Sequence, residues 1–235
     1  MQPVSSFYPR TEAWQSKEDL AWLSLLASSG PQAVQAQELE LAMCKENPWR
    51  FLLLWVQTED AQNKDQPFQP FPNDIHLQVL THYWQRERFL LVPKSRQLTI
   101  TWLFCGLYLW ESMFFPSRLT FFQNKKEEDA DNNIKRTAVM HDRLPIWMKD
   151  WQPCKQTYCS LVFPRSRSEI RGIPAGAHHV RGSTATGVFA DEMAFIESMD
   201  EVLAAVKPAL GKVGKFTGVS SASPSYFRDL VFDTV

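Results

Sequence analysis

Two adjacent acids, Asp191 and Glu192, close the apolar run that begins at Gly187. Such a run reads as a strand buried in a sheet, and it carries both carboxylates to the sheet's edge, where open α/β sheets bind their ligands. One acid there can hold Mg2+ while its neighbour orients or deprotonates a water attacking phosphorus. The same pair also reads as an acidic turn, or as an Asp capping the next helix, and on its own it does not choose between these. A second candidate lies upstream, in the polar loop from Pro93 to Thr101, between a short apolar run and a long apolar helix. Helix N-terminal amides attract anions at such a junction. Laid over the generic phosphate-loop pattern Gly-x4-Gly-Lys-Ser/Thr, residues 94–101 match only at Thr101. Lys94 replaces the first glycine, Thr99 the second and Ile100 the lysine. A Cβ at Thr99 would crowd bound phosphates or disfavour the backbone geometry that glycine permits.

These residues need a scaffold, and the pattern of apolar runs supplies one. Residues 16–58 read as helices, with Leu20, Leu23 and Leu26 on one side and Pro48 interrupting the pattern. The polar, proline-containing stretch 59–72 reads as a loop before a helix capped by Asn73 and carrying Ile75, Leu80 and Trp84. Residues 88–94 form a first strand, 100–115 a buried helix, 118–124 a second strand, and 125–144 a charged helix with Ile134, Ala138 and Leu144 on its buried side. Glu127, Glu128, Asp129 and Asp131 read as the exposed start of that helix, where acids favour the dipole. Two short strands joined by a basic turn follow over 158–173, then the strand ending on the two acids, a helix over 198–210, and a strand through 215–224 with a hydroxyl-rich end. Alternation of this kind predicts an α/β domain with a mainly parallel central sheet flanked by helices.

Composition sets the bounds. The chain has 235 residues, 44% hydrophobic and 22% charged, which suffices for one large core with a small helical appendage. A formal net charge of -1 gives no overall basic footprint, so any contact with nucleic acid must come from a local patch. Arg165, Arg167, Arg171, His178 and His179 form such a patch, or equally a solvated hairpin. Cys44, Cys105, Cys154 and Cys159 lack paired CxxC spacing; Cys105 reads as a buried, reduced thiol, and the Cys154/Cys159 pair with the two histidines resembles no zinc finger. The first residues have no signal-peptide pattern, and no run of 18 apolar residues occurs, so a soluble, unexported protein is expected.

The segment from Lys94 to Leu98, followed by a hydroxyl residue and a buried helix, resembles the deviant phosphate loop (Walker A) of phage large terminases. Three further segments resemble that family in its order: residues 48–57 with 70–80 before the loop, residues 178–195 around the two acids, and residues 216–224 after them. The ordered set spans residues 50–230 and is more specific than any member of it. The resemblance implies a P-loop ATPase core over 73–235 preceded by a helical region over 1–72. It implies ATP and Mg2+ as cofactors, with Lys94 as the phosphate-binding lysine and Ser95, Gln97 and Thr99 completing the loop. It makes Thr101 the hydroxyl on the magnesium side, Gln78 an adenine reader, and Arg96 a charge-neutralising arginine at the γ-phosphate. Asp191 and Glu192 become the Walker B pair, with Arg181 an arginine finger reaching a neighbouring subunit and Ser221 and Ser223 the γ-phosphate sensors of a coupling motif.

The activity implied is that of the motor portion of a terminase large subunit, driving double-stranded DNA into a procapsid. Implied partners are that DNA, a portal protein, a small terminase subunit and other copies in a ring, in the cytoplasm of an infected host and at the procapsid portal. Family members usually carry a nuclease domain after the ATPase; the sequence ends eleven residues past Pro224, so DNA cleavage is not expected of it. Two alternatives stay open: another helicase-like P-loop translocase, and a degenerate remnant that assembles without hydrolysing ATP.

Overall fold

The structure, a computed structural model, describes residues 16–60, 62–95, 98–176, 180 and 182–232. Its centre is a seven-stranded sheet. The five strands that build its parallel part are β3 (Phe89–Pro93), β4 (Leu119–Gln123), β7 (Ser168–Ile173), β8 (Gly187–Asp191) and β9 (Lys215–Ser220). Two more strands, β5 (Lys155–Thr157) and β6 (Ser160–Phe163), extend it in antiparallel fashion, giving the order β3-β9-β8-β4-β7-β6-β5. The predicted α/β class, with a mainly parallel sheet flanked by helices, is therefore what the chain adopts. Strands β9 and β8 slot between β3 and β4, so the ends of strands far apart in sequence lie side by side.

Alternation along the strands builds two cores, because successive side chains leave a sheet on opposite faces. Phe122, Phe189 and Val219 face one cluster, while Phe121, Val188 and Phe216 face the other. The first face is covered by α5 (Ile100–Phe114) and α6 (Glu127–Asp142), and by the N-terminal helices α1 (Lys17–Ala27), α2 (Pro31–Glu46) and α3 (Pro48–Trp55). The second is covered by α8 (Met199–Ala209) and α9 (Tyr226–Val231). Helix α5 is apolar nearly all round, as a helix packed on several sides must be. Its Tyr108 hydroxyl lies 3.3 Å from the Val188 carbonyl oxygen and 3.0 Å from Thr217 Oγ1, fixing the helix across β8 and β9. Gly187 admits that ring: a Cβ there would stand 2.6 Å from Tyr108 Cε1.

The sequence reading needs correction in several places. Residues 59–72 are not a plain loop, since β1 (Gln57–Glu59) and β2 (Phe68–Pro70) pair as an antiparallel hairpin, with Pro70 at the strand end where no ladder bond is lost. Helix α4 (Ile75–Arg86) is preceded by Asp74, not capped by Asn73, and Ile75 is 73% exposed while Leu77, Thr81 and Trp84 are buried. Leu20 is 55% exposed, whereas Leu23 and Leu26 are buried, because the apolar stripe of α1 is one residue narrower than its leucines suggest. Helix α7 (Ile146–Trp151) and strand β5 are additional. Asp131 is buried, not part of an exposed acidic start; it accepts the Cys159 amide at 2.9 Å and pairs with Lys135 at 2.7 Å. Cys105 is fully buried and burial pushes its thiol up to about 12, as expected of a reduced interior cysteine. Among the described residues no helix is long and apolar enough to cross a membrane.

Candidate active site

The site forms where β3, β9 and β8 end. Lys94 continues β3 by one residue, its amide donating to the Ser220 carbonyl at 2.9 Å, so its side chain starts from a fixed point at the sheet edge. The loop then enters α5 through Thr99, which takes the left-handed conformation with φ 59 and ψ 8. This is the slot that the generic pattern fills with glycine. A β-branched residue there is strained by roughly 1–3 kcal/mol, a cost characteristic of functional loops. No side chain caps α5, so its first amides are free of intrahelical partners at the site.

On β8, burial of every residue from Gly187 to Asp191 sets the carboxylate deep in the edge. Glu192 then turns sharply, with φ 52, and starts a 3-10 turn over Met193–Phe195. Of the six described non-glycine residues with positive φ, two, Thr99 and Glu192, thus stand in this one site. Thr101 Oγ1 lies 3.3 and 3.2 Å from the two Asp191 oxygens. Lys94 Nζ donates to Thr101 Oγ1 at 3.1 Å and stands 3.7 Å from both Asp191 Oδ1 and Glu192 Oε1. The Glu192 amide donates to Asp191 Oδ1 at 3.1 Å. From β9, the Ser220 hydroxyl accepts the Ala194 amide at 3.1 Å, and Ser221 Oγ donates to Glu192 Oε2 at 3.4 Å.

An ammonium group surrounded by a hydroxyl and two carboxylates shows that this point already attracts a cation. Hydroxyl and carboxylate oxygens are the donors Mg2+ prefers. The donor set therefore fits the metal.

Lys94, Thr101, Asp191, Glu192 and Ser221 are brought together. Ser95 is exposed on the loop. Gln78 makes no hydrogen bond to this cluster: its Nε2 donates to Asn73 Oδ1 at 2.8 Å, while His76, two residues earlier on α4, has a ring nitrogen 3.2 Å from the Leu98 carbonyl oxygen. Ser223 lines a neighbouring cavity of about 360 Å³ with Pro93, Pro224 and Phe227, and its carbonyl accepts Ser225 Oγ at 3.1 Å. Arg96, Gln97 and Arg181, and likewise His178 and His179, lie outside the described residues. In the basic hairpin Arg171 forks onto Glu169 at 3.0 and 2.9 Å, and Arg165 donates to the Trp151 carbonyl at 2.9 Å. Among the described residues no cluster of three or more His, Cys, Asp or Glu is arranged for a metal.

Sequence reasoning missed Asn124 and Asn133. Asn133 Nδ2 donates to Asp191 Oδ2 at 3.3 Å and to Asn124 Oδ1 at 3.1 Å, and Arg136 in turn donates to Asn133 Oδ1. No local signal marks them: Asn133 is one polar residue among many in a charged helix and Asn124 one polar residue after a strand, until β4 is known to lie beside β8.

No protein-family model and no curated protein matches the sequence. Solved structures do match. The large terminase of bacteriophage HK97 is similar over 81% of this chain and 40% of that one, with TM-score 0.64 and 12% identity. A variant of the Thermus phage P74-26 large terminase ATPase domain is similar over 67% of this chain and 69% of that one, with TM-score 0.55 and 17% identity. The large terminase of a thermophilic bacteriophage is similar over 63% of this chain and 39% of that one, with TM-score 0.52 and 12% identity. The chain thus has the fold of phage large terminase ATPase domains, while its match spans about two fifths of the full-length neighbours.

Proposed function

We propose that this chain hydrolyses ATP as the motor portion of a phage terminase large subunit, coupling hydrolysis to movement of double-stranded DNA into a procapsid. The observation that carries the reading is the convergence of Lys94, Thr101, Asp191 and Glu192 on one cation-attracting point at the strand ends. The fold shared with terminase ATPase domains supports it. Residues 1–72 are then the region leading into the ATPase core of 73–235, helical through α1, α2 and α3 and followed by the β1–β2 hairpin.

When ATP arrives, Lys94 exchanges its carboxylate neighbours for the β- and γ-phosphates, assisted by the free amides at the start of α5 and by Ser95, Gln97 and Thr99 of the loop. Thr101 and Asp191 would hold Mg2+, which when bound would neutralise charge on the phosphate oxygens. Glu192 then has no ammonium beside it and is available to orient and deprotonate the attacking water. Ser221, bonded to Glu192, and Ser223 sense the γ-phosphate. Gln78 reads adenine, Arg96 neutralises the γ-phosphate, and Arg181 acts across a subunit boundary in a ring. The partners are DNA, a portal protein and a small terminase subunit, at the procapsid in the infected cell.

Glu192→Gln tests the reading. It removes the proton acceptor while keeping the shape, so ATP binding persists and steady phosphate release falls by roughly 100- to 10,000-fold. Turnover at the parent rate in Glu192→Gln would sink the assignment. A second reading, an assembly component that does not use nucleotide, is favoured by Thr99, whose Cβ stands in the slot the generic loop keeps for glycine. It predicts no heat when the parent is titrated with millimolar ATP.

A further inference from the structure

We infer that Asn133, locked by Arg136, is the positioning residue of the cation-binding carboxylate Asp191; this assignment rests on the ATPase reading above. Asn133 sits on α6, outside every segment that resembles a nucleotide motif, and is almost completely buried. Burying a primary amide is costly unless its donors and acceptor are paired. Here they are paired with three separate parts of the fold. The Nδ2 group donates to Asp191 at the end of β8 and to Asn124 just past the end of β4, and Oδ1 accepts from Arg136 one turn along α6.

Charge dictates which way this amide points. A guanidinium only donates and a carboxylate only accepts, so the carbonyl must face Arg136 and the amino group must face Asp191. The arginine therefore sets the orientation of a neutral donor that then holds the acid. Its consequence for Asp191 is geometric. Oδ1 is claimed by the Glu192 amide at 3.1 Å, and Oδ2 by Asn133 at 3.3 Å, so rotation of the carboxylate plane is blocked from both sides. Thr101 lies against both oxygens at 3.3 and 3.2 Å, and the pair keeps a fixed face toward the site.

Helix α6 is itself held in place at this residue. The Asn133 carbonyl accepts Thr137 Oγ1 at 2.9 Å and the thiol of Cys105 on α5 at 3.8 Å. A helix packed only for stability could bury an alanine here, as it does at Ala130 and Ala138. The amide is thus placed to do for a metal-binding acid what outer hydrogen-bond partners do generally: fix its orientation, with effects of 10- to 100-fold on metal affinity.

The test measures cation binding directly. Mn2+ binding to the full chain in the presence of ADP is followed by electron paramagnetic resonance, and ADP binding without metal by calorimetry. Asn133→Ala should weaken Mn2+ binding by roughly 10- to 100-fold with metal-free ADP affinity unchanged. Arg136→Leu, at a half-exposed position, should weaken Mn2+ binding several-fold in the same direction, by freeing the amide to turn. If Asn133→Ala fails to fold, Arg136→Leu decides. Parent-like Mn2+ affinity in the folded variants overturns the positioning role and leaves the ATPase reading standing. A parent chain that binds neither ADP nor its Mn2+ complex overturns both, and is a different result.

Discussion

Two buried carboxylates in this molecule have opposite surroundings. Glu40 on α2 is fully buried and accepts from the indoles of Trp22 and Trp55 at 3.0 and 2.8 Å, from Arg50 at 3.0 and 2.6 Å, and from the Cys44 thiol at 3.3 Å. Its cation is bidentate and close, and its remaining donors are two rigid indoles and a buried thiol. Asp191 is nearly as buried, yet its hydrogen bonds are longer, at 3.1 to 3.3 Å, and its ammonium partner stands off at 3.7 Å. The first arrangement has nothing left to bind and fastens the N-terminal helices. The second holds the acid in orientation while leaving its charge incompletely answered, which is what a carboxylate awaiting a metal requires. Burial of an acid alone therefore says little about its role; the identity and closeness of its donors say more.

The comparison breaks most readily at Glu40. Glu40→Ala strands Arg50 and two indole donors, and should lower unfolding free energy by about 3–5 kcal/mol in a denaturant titration. Asp191→Asn, by contrast, leaves one of two amide donors without an acceptor and should cost only about 1–3 kcal/mol while abolishing metal-dependent nucleotide binding. Equal losses of stability in the two variants would remove the distinction. A smaller effect is expected at the loop. Thr99→Gly releases left-handed strain but adds freedom to the unfolded chain, for a net gain of at most about 1 kcal/mol. That corresponds to a melting temperature raised by about 2–4 °C in scanning calorimetry. A lowered melting temperature would show that the threonine side chain contributes contacts that outweigh its strain.

How much of this was legible beforehand depended on whether a feature is local. The strand ending on Asp191 and Glu192 and the helix after Thr99 announce themselves through continuous apolar runs, and the main parallel strands fell where those runs lie. Lys94 and Thr101 were readable as a pair because one loop carries both. The hairpin of β1 and β2 was hidden by prolines, whose effect depends on which strand edge they occupy. Asp131 looked like part of a solvated acidic turn, and only the docking of the β5–β6 turn onto α6 buries it. Asn124 and Asn133 were invisible for a similar reason: Asn133, with Asn124 behind it, meets Asp191 because β8 inserts beside β4, a pairing between distant segments that no local spacing encodes.

The most direct test of the central claim is a crystal structure of the chain with Mg2+ and a non-hydrolysable ATP analogue. The account predicts that the Lys94 ammonium leaves Asp191 and Glu192 for the phosphates, with the metal between Thr101 and Asp191 and Thr99 still left-handed beneath the loop. A nucleotide bound elsewhere, with Lys94 still seated between the two carboxylates, would contradict it.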